Sequence, residues 1–132
     1  MDYKRMIEEA KKARENSYSP YSKFKVGAAV LTKDGHVYHG ANIENASYGL
    51  CMCAERNALY NAMMDGYKKE DFTCIAIIGN TEEPISPCGA CRQVMSELFP
   101  NRAPVIMTNL KGDVKETTMA ELLPFAFTDS DL

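Results

Sequence analysis

Apolar positions recur along this chain with two periods, and each period predicts a different element. In residues 2–15, Met6, Ile7, Ala10 and Ala13 fall on one helical face, with Glu8 one turn before Lys12, the pattern of an amphipathic helix. Residues 54–65 repeat it with Ala54, Ala58, Leu59, Ala62 and Met63 on one side, until Gly66 stops the helix. A third helix is expected over residues 88–99, where Cys91, Val94, Met95 and Leu98 share a face and Pro100 ends it. Residues 119–123 read as a short fourth.

Strands are expected elsewhere. Residues 24–31 and 37–43 read as a pair around the turn signal Lys33-Asp34-Gly35. Residues 72–78 are an almost unbroken apolar run, which suits a central strand covered on both faces. Residues 104–107 and 114–117 are short strands joined at Lys111-Gly112-Asp113. Between these elements, residues 16–22 carry Pro20 and three Ser, and the stretch holding Pro84 and Pro87 reads as a loop. Strands alternating with helices predict an α/β fold of three α-β-α layers around a mixed, roughly five-stranded central sheet.

Composition narrows this picture. The 132 residues are expected to form a single domain over 1–132. Leu, Ile, Val and Phe number only 26, near the floor for a folded chain, but eight Met and seven Tyr with a net charge of −3 favour a packed domain. Fifteen basic against eighteen acidic side chains exclude a basic footprint for nucleic acid or an anionic membrane. No apolar run approaches the ~18 residues of a membrane span. Residues 1–16 are charged and lack an apolar signal core, so the expected compartment is the cytoplasm. Five cysteines, an odd number, point in that setting to metal or catalysis rather than disulfides.

The chemistry concentrates in Cys53-Ala54-Glu55 and Pro87-Cys88-Gly89-Ala90-Cys91. Each stretch falls where a loop becomes a helix, and the partial positive charge of a helix N-terminus favours thiolate, the zinc-binding form. Cys88 and Cys91, one turn apart, can chelate one ion, and Cys53 can add a third sulfur. Three protein ligands leave a fourth position for water, the arrangement of a catalytic zinc site. Glu55 is the candidate acid/base partner. Residues i and i+2 diverge by about 200° on a regular helix, so this works only if Cys53 is the cap and Glu55 lies in the first turn. The alternative is a structural four-ligand site completed by Cys51, Cys74, His36 or His39; Cys74, inside the apolar strand, reads as a core residue and the two His as solvated. Arg56 can draw charge off the ligand sulfurs; Arg92 and Gln93 read as packing or interface residues without chemistry.

Five stretches then resemble, in order, the small zinc-dependent cytidine deaminases of pyrimidine salvage. They are Pro20-Tyr21-Ser22-x-Phe24-x-Val26-Gly27-Ala28-Ala29, Gly40-x-Asn42-Ile43-Glu44-Asn45-Ala46-x-Tyr48, Cys53-Ala54-Glu55-Arg56, Ser86-Pro87-Cys88-Gly89-Ala90-Cys91-Arg92-Gln93 and Glu121-Leu122-Leu123-Pro124. Spacing of the second kind, Pro-Cys-x-x-Cys after a ligand two residues before Glu, marks zinc deaminases generally. Ala41 departs from the family, which often has Cys there at a position that is not a ligand.

The resemblance implies hydrolytic deamination of cytidine and 2′-deoxycytidine to the uridines, with release of ammonia and one zinc per chain. It implies that Asn42 and Glu44 hold the ribose 3′-hydroxyl and that Phe24 packs on the base, with backbone contacts from Ala54. It further implies a homotetramer in which Ala46, Tyr48 and Phe127 reach a neighbour's nucleoside, Phe125 being the rival for the last role. The rival readings are a same-fold deaminase of an aminonucleoside antibiotic, which the ribose pair Asn42 and Glu44 opposes; a polynucleotide deaminase, which the acidic balance opposes; and a non-enzymatic zinc module, for which Glu55 would have no use.

Overall fold

The structure is a computed structural model that describes residues 3–132. In chain order the elements are α1 (Tyr3–Arg14), β1 (Val26–Thr32), β2 (Val37–Ala41), α2 (Ala54–Met64), β3 (Phe72–Gly79), α3 (Gly89–Leu98), β4 (Val105–Asn109), β5 (Val114–Thr117) and α4 (Met119–Leu122). Single 3₁₀ turns at Tyr48–Leu50, Lys69–Asp71 and Asp129–Asp131 were not legible in the pattern. The strands form one five-stranded sheet in the order β2-β1-β3-β4-β5. Only β3 and β4 run parallel, joined by the crossover through α3. The mixed five-stranded expectation holds.

The apolar run of β3 lies at the centre, with Cys74 and Ile75 through Ile78 fully buried. Its alternation serves two cores. Cys74, Ala76 and Ile78 meet Met6 and Ala10 of α1 on one face. Ile75 and Ile77 meet Leu59, Met95 and Phe99 on the other, where α2, α3 and α4 pack. The layers are therefore α1, sheet, then the remaining helices. On α1, Ile7 is only half-buried, and the ion pairs formed are Glu8–Lys11 and Glu9–Lys12 rather than Glu8–Lys12. On α2, Met63 faces outward, against expectation.

Two strand boundaries differ from expectation in ways that matter for the site. β1 begins at Val26, not at residue 24. Lys23 turns the chain with φ of 61°, and the Ser22 hydroxyl accepts the Phe24 N–H, which takes Phe24 out of the ladder. β2 ends at Ala41, not at residue 43, because Ile43 instead makes single bridges to Tyr18 and Met52. In the other direction β4 runs to Asn109, two residues further than its apolar pattern suggests. Asn109 is buried because its side chain closes the following turn, accepting the N–H of Lys111 and of Asp113 at 3.0 Å.

Glycine at position 40 brings α2 onto the sheet. A Cβ there would stand 2.3 Å from both Ala54 O and Ala58 N, closer than any side chain tolerates. The first turn of α2 can thus lie directly on β2, and Asn57 Nδ2 donates to Ala41 O at 2.8 Å to hold it there. At the other end Gly66, with φ of 97°, adopts the left-handed conformation that terminates the helix.

Candidate functional site

The starts of α2 and α3 converge on one spot. Cys53 is the N-cap of α2 and Cys88 the N-cap of α3, both in extended conformation. Cys91 follows in the first turn of α3 and Glu55 in the first turn of α2, the placement that the i, i+2 geometry demands. The sulfurs of Cys53, Cys88 and Cys91 lie within 4.8 Å of one another, and Cys53 Sγ and Cys88 Sγ are 3.7 Å apart. Cys91 is buried, Cys53 half-buried and Cys88 exposed. The Cys53 thiol is pulled down to about 5, chiefly because Cys91 donates its S–H to the thiolate, and also because the Arg56 guanidinium stands beside it. Cys91 is pushed the other way by that same bond and by burial. Arg56 Nη2 donates to Cys53 Sγ at 3.4 Å, and Arg56 Nε is buried without a hydrogen-bond partner among the described residues.

Glu55 is buried in this wall. Burial pushes its carboxyl up to about 7, with the Cys53 thiolate adding to the rise. An acid whose affinity for a proton sits near neutrality can both take and give one. Ala54, between Cys53 and Glu55, is fully buried in the core.

The residues weighed as a fourth ligand are all elsewhere. Cys74 lies in the α1-side core, across the sheet. Cys51 Sγ accepts the Asn45 N–H at 3.3 Å. His36 Nδ1 is 2.8 Å from the Tyr67 hydroxyl, and His39 Nε2 is 2.9 Å from Glu9; His39 is thus paired rather than merely solvated. Three sulfurs with no protein group in a fourth position, among the described residues, are a donor set that fits a zinc ion with an open site.

A second group gathers beside β1. Asn42 Oδ1 accepts the Val26 N–H at 2.9 Å, and Asn42 Nδ2 donates to Phe24 O at 2.8 Å. The Glu44 carboxylate accepts the N–H groups of Tyr21 and Ser22 at 3.1 Å, together with the Ser22 hydroxyl. Asn42 and Glu44 both fold onto the segment 21–26, from a bridge segment rather than the expected strand. Both brace the loop that presents Phe24, whose ring lies against Gly79. Ser22 was missed; Ser at this loop position carries no signal until Glu44 is seen to fold onto it.

The remaining candidates lie on the surface. Ala46 is exposed, and Tyr48 is 73% exposed, its ring T-shaped against that of Tyr21. Phe127 is 59% exposed and shares a groove with Lys69, Glu97 and Asp129. Phe125 is fully exposed at φ of 56°. Arg92 and Gln93, expected to serve packing or the interface, hold the carbonyls of Pro87 and Leu122 and of Phe127 respectively.

Three convergent cysteine sulfurs beside a buried carboxyl, built on two helix starts of a mixed α/β sheet, fit a metal-assisted hydrolytic class of site. Residues 1–107 match the family described as the cytidine and deoxycytidylate deaminase zinc-binding region. The chain is 54% identical over 132 residues to a cytidine deaminase of Sporosarcina psychrophila, covering all of this chain and 96% of that one. It superposes with a TM-score of 0.94 on the crystal structure of a cytidine deaminase from Burkholderia pseudomallei, at 57% identity, covering 96% and 100% of the two chains. A blasticidin-S deaminase of Bacillus cereus is more distant, 31% identical over 114 residues and 81% of this chain. This chain belongs to the cytidine and deoxycytidylate deaminase family.

Proposed function

We propose that this protein is a single-domain hydrolase that converts cytidine and 2′-deoxycytidine to uridine and 2′-deoxyuridine, releasing ammonia, in pyrimidine salvage. The observation that carries the reading is the buried Glu55 carboxyl beside three convergent thiols. Cys53, Cys88 and Cys91 would hold one zinc. Zinc bound there supplies a Lewis acid that makes water a nucleophile at neutral pH.

The protons move through Glu55. It takes one from the attacking water and gives it to N3 of the pyrimidine, which draws electron density from C4 as oxygen adds. It then carries the second proton from that oxygen to the exocyclic amine, the C4–N bond breaks, and ammonia leaves behind a C4 carbonyl. Asn42 and Glu44 would hold the ribose 3′-hydroxyl, Phe24 would pack on the base, and Ala54 would offer its backbone to the base.

The chain would act as a homotetramer. Tyr18, Tyr21, Ile43, Tyr48 and Leu50 are exposed close together, an apolar surface of the kind that marks contacts. In that assembly Ala46, Tyr48 and Phe127 would complete a neighbour's site. Among the described residues no helix is long and apolar enough to cross a membrane, and a site of free thiols suits a reducing compartment, the cytoplasm.

The test is an assay on the purified protein. Cytidine should lose its absorbance band with one ammonia released per nucleoside. Dialysis against a chelator should stop both and added zinc restore them; a cytidine band that persists with the zinc-loaded protein would sink the reading.

Arg56 has a measurable part in it. Three thiolates leave the zinc site with a net charge of −1, and the guanidinium on Cys53 Sγ offsets it. Arg56→Gln should lower turnover by ~10–100-fold, the usual span for groups that tune metal ligands, while zinc retention changes less. Turnover at the wild-type rate would mean that Arg56 only supports the fold.

A further inference from the structure

We propose that Arg92 is a positioning residue that ties the Cys88 ligand segment to the root of the C-terminal tail, so that metal retention and tail placement depend on one side chain. The inference rests on the proposed zinc site and deepens it. At the start of α3 the Arg92 side chain holds one carbonyl, Nε donating to Pro87 O at 2.8 Å, next to the ordinary helical bond in which the Arg92 backbone N–H donates to Cys88 O at 2.9 Å. The same guanidinium reaches in the other direction, where Nη1 donates to Leu122 O at 2.9 Å. Leu122 is the last residue of α4, whose terminal carbonyls have no partner within the helix. The next residue on α3 continues the clasp, since Gln93 Nε2 donates to Phe127 O at 2.9 Å.

Both ends of this link need outside support. Cys88 is the exposed one of the three thiols and follows the loop carrying Pro84 and Pro87, outside any helix or strand. α4 has only four residues, too short to be stable by itself, so the tail after it takes its position from what it is bonded to. A guanidinium is the group for this task, because its planar fork offers donors in fixed, divergent directions. A lysine ammonium or a glutamine amide can serve one of the two carbonyls but cannot bridge them in the same geometry.

The test uses the zinc-loaded, full-length protein and its Arg92→Lys, Arg92→Gln and Gln93→Ala variants. Zinc release is followed as transfer to an excess of a chromogenic chelator, and kcat and KM for cytidine are measured separately. Both Arg92 variants should release zinc ~10–100-fold faster than wild type and show a raised KM. Gln93→Ala should raise KM while releasing zinc at the wild-type rate, because its bond touches only the tail. A general loss of stability would lower the melting temperature of all three without this split. Zinc release at the wild-type rate in both Arg92 variants, or release from Gln93→Ala as fast as from Arg92→Lys, overturns the inference alone. A wild-type protein that binds no zinc overturns the reading of the site, and this inference with it.

Discussion

Glu55→Gln should lose turnover on cytidine by ~10⁴-fold while keeping one zinc per chain and a nearly unchanged affinity for nucleoside. General acid/base groups are usually worth ~10²–10⁴-fold, and this carboxyl belongs at the top of that span because in the proposed mechanism one group handles both protons of the reaction. A factor of ~10⁴ corresponds to about 5 kcal/mol of barrier. The substitution is isosteric, and Glu55 is not among the three clustered sulfurs, so neither the metal nor the wall of the site is removed. The structure also shows why the position bears a carboxyl at a cost to the fold. Glu55 is buried, and its carboxyl is held up to about 7 by that burial, so its ionised form is disfavoured in the folded chain; the amide escapes that penalty. The metal-free variant should therefore melt no lower than the metal-free wild type at pH 8. Single-turnover assays, metal analysis and a thermal melt check the three parts. A loss below about tenfold would show that another group moves the protons.

The parts of this site that were legible in the sequence are those whose causes are local. Cys53 and Cys88 could be placed at helix starts because the apolar periodicity begins just after each of them, and a cap is defined by the few residues around it. Gly66 and Pro100 marked helix ends for the same reason. The parts that were not legible depend on partners far along the chain. Phe24 was expected inside a strand, but the loop that carries it is held by Glu44 and Asn42, about twenty residues on. β2 was drawn two residues too long because the alternation continues through Ile43, whose actual partners, Tyr18 and Met52, come from two different loops. Arg92 reads in the sequence as a packing or interface residue, and nothing near it in sequence announces an acceptor thirty positions away at Leu122. Spacing alone also left the count of metal ligands open. Distance narrows it, since Cys74 faces the α1 side of the sheet while the three sulfurs gather where α2 and α3 begin.

That separation sets up the second large effect. Cys88→Ala should leave less than about a tenth of the wild-type zinc and no measurable deamination, whereas Cys74→Ala and Cys51→Ala should retain one zinc per chain. Removing Cys88 leaves two sulfurs, and a catalytic zinc is ordinarily held by three protein ligands. The loss falls on binding rather than folding, because Cys88 is exposed and caps α3 through its backbone, with no side-chain capping bond to lose. Cys74 has the opposite character. It is fully buried, and burial pushes its thiol up to about 11, so it stays protonated where zinc would need a thiolate. Its truncation removes one buried atom, at a cost of ~1 kcal/mol of stability, and should lower the melting point without touching the metal. Cys51 is committed to the 45–51 loop, where its sulfur accepts from Asn45 N at 3.3 Å and donates to Asn45 O at 3.6 Å. The experiment is zinc content per chain after gel filtration, with the melting temperature measured on the same samples to separate metal loss from unfolding. Stoichiometric zinc in a folded Cys88→Ala protein would remove Cys88 from the ligand set, and loss of zinc from a folded Cys74→Ala protein would mean that the metal sits on the other side of the sheet.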